Sequence, residues 1–170
     1  LCLYQDKAGL MWFGTYDGVN CYDGKGIEVF RSDFSMKKTL SNNVIHSIQQ
    51  ADSSCLWITT HLGVNRFSQD SRQVVGYYDF TGDYYLHSNP KGDTWVVSNE
   101  GIFYYNTYHK KFVHLKNIET PVENMDHRAF VTDDGVLWTF PRNTGSLIQC
   151  SLDGFDLDTL SVHPTVSSSD

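Results

Sequence analysis

Positive charge is scarce in this chain: 13 Lys and Arg stand against 20 Asp and Glu, for a net charge of −7. With no basic cluster, binding along a nucleic-acid backbone has no electrostatic support. Apolar runs are only a few residues long, too short for a membrane-spanning helix. The four cysteines, Cys2, Cys21, Cys55 and Cys150, form no C-x-x-C pair and no regular spacing, which argues against zinc. A disulfide framework is also not expected, because Cys2 and Cys21 fall on strands predicted not to be neighbours. The four read as small apolar fillers.

Signatures of chemistry are missing too. The chain has no G-x-S-x-G, no H-E-x-x-H and no P-loop. Seven histidines (His46, His61, His87, His109, His114, His127, His163) lack metal-ligand spacing. Asp23-Gly24 and Asp133-Asp134-Gly135 lack the alternating oxygen donors of a calcium loop and read as turns. No catalytic residue, metal or cofactor is therefore predicted.

What the chain does have is a recurring tryptophan. Trp12, Trp57, Trp95 and Trp138 follow one another at steps of 45, 38 and 43 residues. Gly18, Gly63 and Gly101 each follow their Trp by six positions, whereas Gly145 follows Trp138 by seven. A period of roughly 40–50 residues made of short strands is the mark of a β-propeller, one blade per repeat. The predicted fold class is all-β, a propeller fragment of about four four-stranded antiparallel blades at 1–34, 43–80, 82–115 and 126–160. The fourth is expected to be degenerate: Pro141 follows its Trp strand, and its final strand near Phe155–Leu160 is weak.

Residues 1–34 show the type repeat. Leu1–Gln5, Leu10–Thr15, Val19–Tyr22 and Ile27–Arg31 read as strands, joined by the turns Asp6-Lys-Ala-Gly9, Tyr16-Asp17-Gly18 and Asp23-Gly-Lys-Gly26. The second strand, Leu-Met-Trp-Phe-Gly-Thr, is apolar on both sides of the pleat, as a strand buried on two faces must be. The tryptophans are thus predicted to be wedges between blades, not binding residues. Lys37–Asn43 forms a long link to the second blade, and no helix is predicted. Because Leu1 opens within a strand, the chain is read as a piece of a longer protein.

The run Asp6-Lys-Ala-Gly9-Leu-Met-Trp12-Phe-Gly14-Thr15-Tyr-Asp-Gly18-Val-Asn-Cys-Tyr22 resembles the D-x-x-G-x-[LM]-W-[IF]-G-T-x-x-G-[LV]-x-x-[YF] propeller repeat of two-component regulators. The link Thr39-Leu-Ser-Asn-Asn-Val-Ile45 is similar to the one preceding that family's next repeat. The match is good over blades one and two, moderate over blade three, where Trp95-Val-Val-Ser replaces Trp-Ile-Gly-Thr, and poor over blade four. In that family, typical of gut Bacteroides, two seven-bladed propellers precede an immunoglobulin-like domain, a membrane helix, a histidine kinase, a receiver and a DNA-binding domain. The resemblance implies a periplasmic sensor piece, joined to a membrane only through its parent chain. Its expected partners are an oligosaccharide ligand, the remaining blades and a dimer mate.

Strand order places the turns between second and third strands on the same rim as the interblade links. That rim carries Tyr16, Asp17, Asn42, Asn43, His61, Asn99, Glu100, Arg142 and Asn143, planar polar groups and an aromatic suited to sugar hydroxyls and ring faces. They are the predicted ligand-binding residues. Two other classes stay open: a propeller enzyme acting on polysaccharide, a lyase or glycosidase with paired carboxylates, and a structural interaction propeller. Terminal blades with an apolar face each are expected to close partially, dimerise or distort.

Overall fold

The computed structural model describes residues 1–98, 100–115, 129–132, 134, 136–139, 146–153 and 156–164. These form four four-stranded antiparallel sheets, each in simple sequence order. The first contains β1 (Cys2–Gln5), β2 (Met11–Thr15), β3 (Gly18–Tyr22) and β4 (Ile27–Phe30). The second contains β5 (Ile45–Gln50), β6 (Cys55–Thr60), β7 (Gly63–Ser68) and β8 (Gln73–Tyr78). The third contains β9 (Tyr84–Ser88), β10 (Thr94–Ser98), β11 (Gly101–Asn106) and β12 (Lys111–His114). The fourth contains β13 (Ala129–Val131), β14 (Val136–Thr139), β15 (Ser146–Asp153) and β16 (Asp156–Pro164). The chain divides into two units, Leu1–Thr81 and Gly82–Asp170.

In the first unit two sheets bury a shared core. Trp12, Val19 and Cys21 of the first sheet pack with Ile45, Ile48, Leu56, Ile58, Phe67 and Val74 of the second, and Leu40 of the link completes the cluster. Trp12 stacks on Phe30 at 6.0 Å between ring centroids and meets the edge of Phe67 at 5.7 Å. Trp12 is fully buried, which places it as the wedge that its doubly apolar strand implied. Trp57 is also buried and lies on the other face of β6 from Leu56 and Ile58, as the period of two requires.

A polar network runs across the same interface. Asp6, buried in the turn before β2, accepts from Ala8 N (3.0 Å) and Leu10 N (2.9 Å) through Oδ1. Its Oδ2 accepts from Trp12 Nε1 (2.8 Å) and, from the second sheet, Gln69 Nε2 (2.7 Å). Tyr4 donates to Gln50 Oε1 at 2.8 Å, and Gln50 in turn donates to Gln69 Oε1 at 3.2 Å. Hydrogen bonds thus reinforce the contact that apolar burial drives.

The glycine six residues after each of the first three tryptophans has a reason in backbone conformation and in space. Gly18 opens β3 at φ +99°, and a Cβ there would sit 2.3 Å from the carbonyl oxygen of Phe30 on the outer strand. Gly63, at φ +110°, recurs in the same setting against Tyr78 O, whereas a Cβ at Gly101, at φ +122°, would meet the His114 ring. Gly18→Ala is expected to cost about 2–3 kcal/mol, because it combines left-handed strain with a clash against fixed backbone. Urea denaturation followed by circular dichroism checks this; a loss below about 0.5 kcal/mol would show that the turn relaxes.

The second unit repeats the plan with a variation. Asn89 stands six residues before Trp95, as Asp6 does before Trp12. Its Oδ1 accepts from Lys91 N (3.0 Å) and Asp93 N (2.9 Å), the same two-and-four pattern. Its amide nitrogen, however, donates to Asp93 Oδ2 at 3.1 Å. Trp95 Nε1 is buried without an acceptor among the described residues. In the fourth sheet Thr132 takes the position, its Oγ1 accepting from Val136 N at 3.0 Å. In the second sheet that place falls to Ala51, and the motif's Asp52 lies one residue later, paired with Arg66. The degenerate fourth repeat is more regular than expected: β16 extends over Asp156–Pro164, paired along β15 with a bulge at Gln149/Cys150. Long cross-strand pairing with β15 supports a strand whose own propensity is weak. Pro141 and Gly145 lie outside the described residues.

Candidate functional site

The turn between β2 and β3 is fastened to the link that enters the second sheet. Gly18 N donates to Asn43 O at 2.8 Å, and His61 N, in the corresponding turn of the second sheet, donates to Val44 O at 3.0 Å. Tyr16, Asp17, Asn42, Asn43 and His61 are therefore gathered on one rim of the first unit. Tyr16 is 73% exposed, so its ring face is open to a partner. His46, which the sequence reading did not include, joins the rim with its ring 6.1 Å from that of His61.

Several of these side chains also hold the rim itself together. Asn43 Oδ1 accepts from Ser32 N at 2.7 Å, and Asn42 Oδ1 accepts from Val44 N at 2.8 Å. Asp17 binds Arg31 in a bidentate pair, with Nε at 3.0 Å and Nη2 at 2.7 Å. The oxygens of Asn42 and Asn43 thus shape the link, and their amide N–H groups make no hydrogen bond among the described residues. Glu100, in the turn of the third sheet, is exposed, and its backbone N–H caps on Ser98 Oγ at 3.2 Å. Asn99, Arg142 and Asn143 fall outside the described residues.

The Arg31 hydrogen bonds hold the Asp17 carboxyl below its usual range. A lowered folded-state value means that the pair is intact at neutral pH and is lost as pH falls through that lowered value. The expected result is an Asp17 titration midpoint below that of a free aspartate, returning to the ordinary value in Arg31→Gln. Carboxyl-detected NMR checks both.

Below the rim a cavity of about 320 Å³ opens between β4, the link and the start of β8. Buried Leu40, Phe67 and Val74 line it, together with Arg31, Lys37, Lys38 and Arg72 and a single acid, Asp33. Sequence reading passed over these cations because they are scattered between residues 31 and 72, and only the packing of two sheets brings them together. Arg72 is positioned by three contacts. Its guanidinium lies 5.5 Å over the Trp12 ring, its Nη1 is 3.6 Å from Cys21 Sγ, and its Nε is 3.8 Å from Glu28.

Burial raises the thiols of Cys21 and Cys55, which makes both poor nucleophiles at neutral pH. Among the described residues no group of His, Cys, Asp and Glu has the geometry to hold a metal ion. No helix among them is long and apolar enough to cross a membrane.

Comparison with known proteins agrees with this geometry. Residues 1–17 match the model of the family described as "Two component regulator propeller". No curated protein matches the sequence. Among solved structures, the extracellular domain of the putative one component system BT4673 from B. thetaiotaomicron superposes with TM-score 0.70 at 18% identity. The extracellular domain of the putative hybrid two component system BT3049 from B. thetaiotaomicron follows at 0.69 and 22%. Each alignment covers 94% of this chain and 24% of the other, so the chain spans about a quarter of their length. Virginiamycin B lyase from Staphylococcus aureus superposes with TM-score 0.68 at 16% identity, over 99% of this chain and 56% of the lyase. Residues 1–17, which hold the Asp6–Trp12 turn, are thus similar to a two component regulator propeller repeat, and the sheets that follow have the fold of a β-propeller.

Proposed function

We propose that the chain is part of a non-catalytic sensor module in the extracytoplasmic region of a hybrid two-component system. In this reading it recognises a glycan-derived ligand and passes occupancy to a histidine kinase on the same parent chain, from the periplasmic side of the inner membrane. The observation that carries it is the family repeat at residues 1–17, set in a fold shared with extracellular domains of two-component systems. The rim of Tyr16, Asn42, Asn43 and His61 supplies an open aromatic face and amide donors of the kind that sugars bind. Isothermal titration of the parent protein's extracytoplasmic region against a glycan panel tests it. Heat on at least one glycan, weakened by Tyr16→Ala, is expected; silence across the panel, with heat on a peptide, would reject the sugar.

The remaining blades and a dimer mate are proposed as partners. The face of the first sheet opposite Trp12 carries Leu3, Ile27 and Val29, exposed at 67, 65 and 40%. Register puts Leu3, Phe13, Asn20 and Val29 in one row across that face. A further blade, or a second copy, would bury it. Sedimentation of this chain is expected to show self-association that Leu3→Lys with Ile27→Lys abolishes; a monomer before substitution would count against it.

One observation favours a second reading. A lyase shares the fold over nearly the whole chain, which keeps a propeller enzyme in view. Turnover of a polysaccharide by the parent protein, lost on a single His or carboxylate substitution, would establish that reading and displace the sensor.

A further inference from the structure

The geometry points to the cavity under the link as a binding site for a small ring-shaped carboxylate, a uronic-acid unit in the glycan setting proposed above. The floor is apolar and buried (Leu40, Phe67, Val74), suited to the face of a ring. The mouth carries Arg31, Lys37, Lys38 and Arg72 against Asp33 in the lining, Asp17 on Arg31 and Glu28 beside Arg72, an excess of one positive charge on a chain whose net charge is −7. So local a reversal of sign selects an anion. At about 320 Å³ the cavity is at the lower end of ligand pockets, which run from roughly 300 to 1,000 Å³, and it suits one ring better than a chain of them.

The cations are not equivalent. Arg31 is committed to Asp17, and Arg72 is held by Glu28, Cys21 and Trp12. Lys37 and Lys38 have no ion-pair partner among the described residues, so their charge is available to a ligand. The backbone beneath them is fixed. Lys38 O accepts from Val74 N at 2.9 Å, Ser41 N donates to Asn65 Oδ1 at 3.0 Å, and Asp33 N donates to Thr39 Oγ1 at 3.1 Å.

Backbone strain is gathered here as well. Lys38 and Arg72 have φ of 69° and 55°, and among the described non-glycine residues only Lys110 shares this left-handed conformation. Such strain costs energy, persists only where the surroundings enforce it, and collects at ligand sites. Two basic residues held left-handed at one cavity mouth are two charges placed there at a cost. Neither glycine nor asparagine, which would relieve the strain, stands at either position.

The site rests on the sugar reading only for the identity of the ligand's body, and its test separates the two. The protein is titrated with glucuronate, benzoate and glucose at low and high salt, by calorimetry and ligand-observed NMR. Saturable binding of glucuronate is expected, at least tenfold tighter than glucose and weakened by salt. It should fall at least tenfold in Lys37→Gln/Lys38→Gly. Because glycine relieves the left-handed strain at position 38, this variant should keep or raise the thermal midpoint, so a loss of binding is not a loss of fold. Binding of benzoate without glucuronate upholds the anion site and rejects its sugar identity. Glucose bound as tightly as glucuronate, binding unchanged by the double substitution, or no binding of either carboxylate overturns the site. The glycan panel on the whole extracytoplasmic region reads the sensor proposal independently of all these outcomes.

Discussion

Replacing Asp6 with alanine is expected to destabilise the first unit by about 4 kcal/mol, since buried donors left without acceptors cost roughly 1–3 kcal/mol each and do not add fully. Four donors converge on this one carboxylate: two turn amides, the Trp12 indole and Gln69 of the neighbouring sheet. Asp6→Asn should cost less, about 2–3 kcal/mol, because the amide oxygen can still serve the turn while its nitrogen faces two donors, Trp12 Nε1 and Gln69 Nε2. Urea unfolding followed by tryptophan fluorescence measures both. If Asp6→Ala costs less than 1 kcal/mol, the network is decorative and apolar packing alone joins the two sheets.

The second large effect is a contrast between two tryptophans in equivalent strands. Trp12→Phe is expected to cost about 2–3 kcal/mol, combining lost ring packing with a lost hydrogen bond to a carboxylate. Trp95→Phe should cost about 1 kcal/mol, because only ring volume is lost where the indole N–H has no acceptor among the described residues. Both rings are buried to within 2% of full cover, so burial alone predicts equal losses. Equal losses would show that the Asp6 hydrogen bond adds nothing beyond the cavity term. The contrast also explains why asparagine replaces aspartate at position 89. Residue 10 is leucine, which leaves the Asp6 carboxylate uncontested, whereas residue 93 is aspartate. A carboxylate at 89 would face that of Asp93, and the asparagine amide instead donates to it.

Much of the fold was legible because its signals are local. Strand periodicity, Asp and Gly at the turns and a tryptophan in each doubly buried strand all report on residues a few positions away. Alignment of the repeats was less secure. Six residues before Trp57 stands Ala51, and the nearest aspartate, Asp52, pairs with Arg66 instead. A turn one residue tighter changes which side chain faces inward, and composition does not record that.

The candidate site was only partly legible. Tyr16, Asn42, Asn43 and His61 could be placed on one rim because they lie at fixed offsets from a motif. That Asn43 Oδ1 holds Ser32, and that Asp17 is locked to Arg31, are relations across 11 and 14 residues that no motif encodes. The cationic cavity was missed altogether, because Lys37 and Lys38 lie in the link while Arg72 stands before β8, and they become neighbours only in space.

By itself the sequence determined the class of fold, the length of the repeat and the burial of Trp12, Trp57 and Trp95, since each follows from hydrophobic pattern and turn preference within one blade; Trp138 is only half-buried. Tertiary structure alone decided which donors share Asp6, that Trp95 has no acceptor among the described residues and where positive charge collects on an acidic chain. The physical reason is the packing of one sheet on the next. It brings residues tens of positions apart within hydrogen-bonding distance, and at that range partner identity depends on geometry that no single repeat contains.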